Sequence, residues 1–150
     1  EFTERGVGGT VDLFEQYAPR TCELIWQALE KPVRAQAFHA MYAGPEIMIG
    51  LPKEAQTFDP RAVPNENQTV IPVPGDVLWF YQAANLMKGL TEEFWEVGMF
   101  YGEGGRTFGP LGWTPVNIFG RMRHGDLPAF ASECADIRLT GAKMLEVRRA

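Results

Sequence analysis

The spacing of apolar side chains changes along the chain, and these changes mark the predicted elements. In the run 22–29 the first, fourth, fifth and eighth positions carry apolar or thiol side chains, the spacing of one helix face. Pro19 suits the first turn of such a helix, and Pro32 ends it. The pattern therefore predicts a helix that begins near Thr21 and ends before Pro32.

Most of the remaining chain consists of short apolar runs separated by glycine and proline, which is typical of β-strands and turns. Residues 1–14 predict two short strands around glycines 6, 8 and 9, and residues 33–51 predict two strands around a turn at Gly44 and Pro45. Residues 69–76 predict a strand edge and a turn, and further strands are predicted at 77–81, 94–101 and 113–122.

Two segments lack periodicity and predict loops. Residues 53–68 contain prolines and asparagines and predict a long surface loop that folds over a site. Residues 102–112 contain five glycines and predict a second loop of functional character. A closing helix is predicted from Gly125 through about residue 147, with Asp126 as a capping residue.

The order of strands, helix, many strands and helix predicts a mainly β fold in one domain over residues 1–150. It favours a closed antiparallel β-barrel of about eight strands with two covering α-helices over a parallel βαβ sheet. A length of 150 residues agrees with a single core.

Composition excludes several classes of partner. The net charge of −5 argues against nucleic acid, and we interpret the only dense basic group, Arg121, Arg123 and His124, as a solvated strand end. No apolar run reaches the roughly 18 residues that a membrane span needs. Cys22 and Cys134 follow no metal-ligand spacing and are expected to be buried thiols, so a cytoplasmic location is predicted. Neither a metal nor another cofactor is expected, and the sequence leaves homo-oligomerisation open.

Two segments resemble cyclophilins. Ala18-Pro19-Arg20-Thr21 is similar to the opening of a cyclophilin helix, and the run from Phe38-His39-Ala40 to Gly50 is similar to the cyclophilin signature segment. The catalytic arginine of cyclophilins would fall on Ala40, and the glutamine that orients the peptide is missing beside Gly50. Because a methyl group cannot stabilise a twisted amide as a guanidinium does, prolyl isomerase activity is not expected.

A second resemblance covers the chain almost from end to end. It is to an uncharacterised bacterial family of cyclophilin-like proteins described as a domain of unknown function, and it implies the cyclophilin-like fold but no activity. The elements that carry it are Thr21-Cys22-Glu23 with Trp26, His39-Ala40, Gly44-Pro45-Glu46-Ile47, Leu51-Pro52, Pro74-Gly75-Asp76, Gly109-Pro110-Leu111-Gly112 and Asn117.

Candidate chemistry is sparse. His39 and Glu46 flank one predicted hairpin, so they either share a proton in a common pocket or serve as a strand histidine and a turn-anchoring carboxylate. Arg106, within a glycine-rich loop that lacks the phosphate-loop ending, is a candidate partner for a carboxylate ligand. The aromatic residues around Trp79 either line a groove or pack under helices and at a subunit interface.

We therefore predict a protein that binds a small molecule or a peptide in a groove at the barrel. The alternative is a small-molecule hydrolase or isomerase that uses His39 and Glu46 as catalytic residues. The predicted ligand-binding residues are Phe38, His39, Tyr42, Glu46, Trp79, Tyr81, Arg106, Trp113 and Asn117.

Overall fold

Ten β-strands and two α-helices make up the regular structure in the computed structural model, which describes residues 1–150. The elements in chain order are β1 (Val11–Leu13), α1 (Pro19–Ala28), β2 (Val33–His39), β3 (Glu46–Gly50), β4 (Gln68–Thr69), β5 (Asp76–Gln82), β6 (Phe94–Phe100), β7 (Phe108–Gly109), β8 (Gly112–Trp113), β9 (Val116–Met122), α2 (Leu127–Thr140) and β10 (Lys143–Val147). The mainly β class with two helices is confirmed.

One antiparallel sheet of eight strands contains nearly all of this structure. Its order is β1-β9-β5-β6-β3-β2-β10, with β4 paired to β9, while β7 and β8 form a separate hairpin. The edge strands β1 and β10 do not pair with each other, so the prediction of a closed barrel was wrong: the sheet is a curled half-barrel. β1 has only three residues, and Phe2 contributes no more than isolated bridges to Val7 and Leu145, so no ladder spans the gap.

The two faces of the sheet bury different sets of side chains. The inner face, defined by Ile47, Ile49, Val77, Trp79 and Met99, belongs to a core cluster of 22 residues that also includes residues of both helices. The outer face is defined by Glu46, Met48, Leu78, Glu96, Gly98 and Phe100, and its buried apolar cluster has only five members. Since neighbouring residues of a strand point to opposite faces, register alone assigns each site residue to one face.

Helix α1 confirms the helix prediction and begins earlier, at Pro19. Its buried face includes Cys22, whose thiol donates to the backbone oxygen of Phe119 at 3.2 Å. Cys22 and Cys134 are both buried and unpaired, as predicted, and burial raises the pKa of each thiol. These thiols contribute to the core.

The end of the chain differs from the prediction of a helix to about residue 147. Helix α2 ends at Thr140, and Gly141 follows with φ +90°, a left-handed conformation that only glycine adopts freely. The next residues form β10, which pairs antiparallel with β2 along five residues. Residues 143–147 therefore form a strand on the free edge of β2, although their sequence pattern also fits a helix. Neither helix is long and apolar enough to cross a membrane.

The predicted loop at 53–68 is confirmed, with two short 3-10 turns, and the predicted hairpin of β2 and β3 is confirmed. Sequence reasoning missed the small β7–β8 hairpin because each of its strands has only two residues.

Candidate functional site

Two buried carboxyl groups meet on the outer face of the sheet. Glu46 begins β3 and is 3% exposed, and Glu96 lies on the neighbouring strand β6 and is half-buried. A Cβ placed on Gly98 would lie 2.8 Å from Glu46 Oε1 and 3.1 Å from Glu96 Oε1. Both carboxyl groups therefore fill the space that the missing side chain of Gly98 leaves open.

The environment of this pair favours its protonated forms. Burial, followed by the charge of Glu96 and a hydrogen bond with it, raises the pKa of Glu46 well above its ordinary value. Burial also raises the pKa of Glu96 to about 7, and the hydrogen bond from Glu46 opposes that rise. No cation lies close enough to lower either pKa. Near neutral pH the pair therefore retains a proton that two carboxyl groups in water would release.

Apolar side chains surround the pair on the outer face, and we call this part of the face the outer groove. Its floor contains Gly98 and Gly50, which contribute no side chain. Directly paired positions across the sheet place Met48 and Phe38 on one side of this floor and Phe80 on the other. Phe38 is 39% exposed, and its ring centroid lies 5.9 Å from that of Phe94. An apolar wall thus stays accessible beside a proton-sharing pair.

His39 lies on the opposite face from Glu46. It pairs with Ile47, whose side chain belongs to the inner core, so Glu46, the preceding residue, points the other way. Both His39 ring nitrogens are occupied: Nδ1 lies 2.8 Å from the Ala40 oxygen, and Nε2 lies 2.7 Å from the Tyr101 hydroxyl. The structure therefore does not bring the two predicted catalytic residues into one pocket.

Trp79 and Tyr81 also face inward, away from the outer groove. They pack with Trp95 and Phe58 into an aromatic cluster with centroid distances of 5.1 to 5.9 Å. The indole Nε1 of Trp95 is buried without a hydrogen-bond partner, although the indole lies close enough to Glu93 to help lower that carboxyl's pKa. Phe58 comes from the 53–68 loop, so this loop covers the cluster.

Asn117 fixes that loop to the sheet. Its amide nitrogen donates to Pro64 O at 2.8 Å and to the Thr21 hydroxyl at 3.0 Å, and its oxygen accepts from Glu66 N at 3.2 Å. The Glu66 carboxylate in turn accepts from the backbone and hydroxyl of Thr21, both at 2.8 Å. Because every polar atom of the Asn117 side chain has a protein partner, its role here is structural.

The remaining predicted residues lie on exposed loops. Tyr42 is 51% exposed in the turn between β2 and β3, and Arg106 lies against that turn. Trp113 is 59% exposed and stacks edge-on against Phe108 in the β7–β8 hairpin. Of the predicted ligand-binding set, the outer groove and its adjacent turn bring together Phe38, Tyr42, Glu46 and Arg106.

Sequence reasoning missed Glu96. A signal existed, because the alternation along 94–100 places Glu96 on the same face as Phe94 and Gly98, opposite to Trp95, Val97 and Met99. An acidic residue in the middle of an apolar strand, two positions before a glycine, indicates a carboxyl group over an open space. The sequence does not show which strand lies beside it.

A second hollow lies within the half-barrel. This cavity of about 600 Å³ is lined mostly by apolar side chains of the inner face, a size typical of ligand pockets. Its wall also includes residues at both ends of the chain, Glu1 and Ala150. No group of three or more His, Cys, Asp or Glu residues is placed to hold a metal ion.

Comparisons with known proteins identify a family but no activity. The family model described as "Protein of unknown function (DUF3830)" matches residues 1–148. No curated protein matches the chain. Among solved structures, the chain is similar to a structure of McbB in complex with tryptophan, with a TM-score of 0.66 and 20% sequence identity. The match covers 99% of this chain and 43% of McbB, so the chain spans less than half the length of that protein, and the likeness concerns the fold.

Proposed function

The chain belongs to the DUF3830 family of unknown function, and from this premise we propose that it binds a small molecule in the outer groove and transfers a proton to or from it. The observation that carries the proposal is the buried pair of Glu46 and Glu96 over Gly98. Burial raises both pKa values above those of free carboxyl groups, and within this pair we assign Glu46 as the acid and Glu96 as the base. We extend the proposal to a cyclophilin-like relationship of the fold, which the half-barrel and the two helices support.

The chemistry that suits this pair is proton transfer at a carbon beside a carbonyl group. Glu96, as carboxylate, takes the proton when the C–H bond breaks, and the electron pair of that bond moves into the carbonyl to form an enolate. Glu46, as carboxylic acid, donates a hydrogen bond to the enolate oxygen. Return of a proton from Glu96 to the same carbon restores the carbonyl compound, and in D₂O this step leaves deuterium at that carbon without any other reactant.

The groove favours a small molecule over a long peptide. Its polar centre consists of one acid pair, and its walls are short apolar and aromatic side chains such as Phe38, Met48 and Phe80. An extended peptide needs a row of backbone hydrogen-bonding groups, which the middle strands of a paired sheet do not offer. A compact ligand with one apolar side and one carbonyl fits both features.

The proposal is tested by hydrogen exchange at carbon. The protein is incubated in D₂O with acetone, cyclohexanone and pyruvamide, and loss of the signal of the protons beside each carbonyl is followed by proton NMR. We expect the wild-type chain to accelerate exchange of at least one probe by about a hundredfold, the lower end of general acid–base catalysis. Glu96→Gln should abolish this acceleration.

The matched control is Glu92→Gln, because Glu92 is exposed, carries the same charge and lies outside the groove. Glu92→Gln should accelerate hydrogen exchange of the probes as much as the wild-type chain does. Exchange that persists in Glu96→Gln, or no acceleration of any probe by the wild-type chain, would contradict the proposed function. Far-ultraviolet circular dichroism of each variant establishes that folding is retained.

A further inference from the structure

Arg106 lies at the Glu46 end of the outer groove. Its backbone N–H donates to Ala43 O at 3.0 Å, which fixes the 102–107 loop against the turn between β2 and β3. A Cβ placed on Gly44, which has φ +87°, would lie 3.6 Å from Arg106 Nη1. The guanidinium therefore lies over the turn that leads directly into Glu46.

The loop is held in this place by packing as well as by that hydrogen bond. Gly105 lies so close to the ring of Phe100 that a side chain there would clash. Phe100 is in turn the direct cross-strand partner of Glu46. The position of Arg106 relative to the carboxyl pair is thus set by buried contacts, although its own side chain is exposed.

The charge of Arg106 is not used within the chain. None of the ion pairs involves it, whereas Arg121 pairs with buried Asp76, and Arg123 pairs with Asp12. Nor does its charge lower the pKa of Glu46. The guanidinium therefore lies at the turn that precedes Glu46 with its charge unpaired within the chain.

We propose that the substrate of the outer groove is a small carboxylic acid, with Arg106 as the residue that binds its carboxylate. This inference rests on the proposed function and adds the substrate class. A guanidinium presents a planar pair of N–H donors that matches a carboxylate, and it remains charged at every physiological pH. With the carboxylate at Arg106, the carbonyl end of a short 2-oxo acid extends toward Glu46 and Glu96.

Charge favours a monoanion over a phosphate at this position. The chain has a net charge of −5, and Arg106 is the only cationic side chain that the structure places at this turn. A phosphate group carries up to about two negative charges at neutral pH, so it requires more donors than one guanidinium provides. A single carboxylate is neutralised by a single arginine.

The test compares pyruvate with its neutral amide, pyruvamide, by ligand-observed NMR and by exchange of the methyl protons in D₂O. We expect the wild-type chain to bind pyruvate more tightly than pyruvamide. Arg106→Gln should weaken pyruvate binding about tenfold or more and leave pyruvamide unchanged, while Arg106→Lys should retain part of the preference. Arg20→Gln, at an exposed arginine of α1 that pairs with Glu23, is the control and should change neither.

The two proposals fail in distinguishable ways. If pyruvate and pyruvamide bind equally, or if Arg106→Gln weakens both alike, the inferred substrate class is wrong while the exchange reaction at Glu96 stands. If Glu96→Gln exchanges both probes at the wild-type rate, the proposed function itself is wrong. Absence of pyruvate binding to the wild-type chain at millimolar concentration would overturn the assignment of Arg106.

Discussion

At the scale of single residues, Glu46 and Glu96 are a pair whose ionisation would lower the stability of the fold. Two carboxyl groups in an apolar setting cannot both ionise without a desolvation penalty and mutual repulsion. The folded chain therefore retains protons that the unfolded chain releases. The raised pKa values that suit the pair to proton transfer also make the free energy of unfolding depend on pH.

The first prediction concerns pH. Glu96 releases its proton near pH 4.5 in the unfolded chain and near pH 7 in the folded chain, so the folded state binds more protons between these values. The free energy of unfolding should therefore fall as pH rises from about 4.5 to about 7, and the raised pKa of Glu46 acts in the same direction. Urea unfolding should show the double variant Glu46→Gln, Glu96→Gln gaining about 1–3 kcal/mol relative to wild type between pH 5 and pH 8.

Glu92→Gln serves again as the control and should follow the pH profile of the wild type. A double variant that loses stability in parallel with wild type over this range would show that the pair does not titrate differently in the folded and unfolded chains.

The second prediction concerns Gly98. Alanine at this position would press its Cβ against both carboxyl oxygens and against Leu78 Cγ at 3.1 Å. Because all three atoms are packed within the sheet, we expect Gly98→Ala to cost about 1–3 kcal/mol in urea unfolding. Gly109→Ala is the control, since nothing lies near a Cβ there and it should change stability little.

The same substitution also tests the site. Since the added methyl group occupies the space that the carboxyl groups share, Gly98→Ala should abolish any exchange activity even where it folds. Wild-type activity in a folded Gly98→Ala variant would show that the floor of the groove is elsewhere.

At the scale of elements, the 53–68 loop is held by side-chain hydrogen bonds because it has almost no regular structure of its own. Asn117 on β9 takes part in three of them, and Glu66 at the end of the loop binds the first turn of α1. The loop, the helix and the sheet are thus joined at one point. The aromatic cluster around Trp95 lies beneath this loop.

The third prediction follows from that junction. Asn117→Ala leaves Pro64 O and Glu66 N without their partner and removes one of the two hydrogen bonds of the Thr21 hydroxyl, and we expect a loss of about 2–4 kcal/mol in the free energy of unfolding. Limited proteolysis should then cleave the 53–68 loop faster. Asn65→Ala, at an exposed asparagine of the same loop, should leave both measurements near wild type. Unchanged proteolysis of Asn117→Ala would show that the loop is held by its apolar contacts instead.

At the scale of the whole molecule, Phe2 packs at the open β10 edge of the sheet. It forms bridges to both Val7 and Leu145, is 1% exposed, and packs against Phe130 of α2 with a centroid distance of 4.8 Å. Phe2 thus packs the N-terminal segment against β10 and α2.

The fourth prediction is that Phe2→Ala lowers the free energy of unfolding by about 3–5 kcal/mol, because it removes a fully buried ring and leaves a cavity between the sheet and α2. Phe108→Ala, at a 44% exposed ring, is the matched control and should cost little. Equal effects of the two substitutions would contradict the role of Phe2 at the open edge.

The sequence by itself determined the elements whose signals are local. Helix α1, the hairpin of β2 and β3, the apolar strands β5, β6 and β9, and the 53–68 loop all follow from periodicity and from the positions of proline and glycine. Family membership also followed from sequence motifs such as Gly44-Pro45-Glu46-Ile47. These features depend on residues close together in the chain, so a linear pattern contains them.

Only the tertiary structure decided what depends on contacts between distant segments. Lys143–Val147 became a strand because β2 offered an unpaired edge, and the barrel stayed open because no strand connects β1 with β10. Sequence proximity suggested His39 as the partner of Glu46, but strand alternation places the His39 side chain on the inner face of the sheet, opposite to Glu46. The register of β3 against β6 instead places Glu96, fifty residues along the chain, beside Glu46. Register is set by packing across the whole sheet, and for that physical reason the chemistry of the site could not be read from spacing alone.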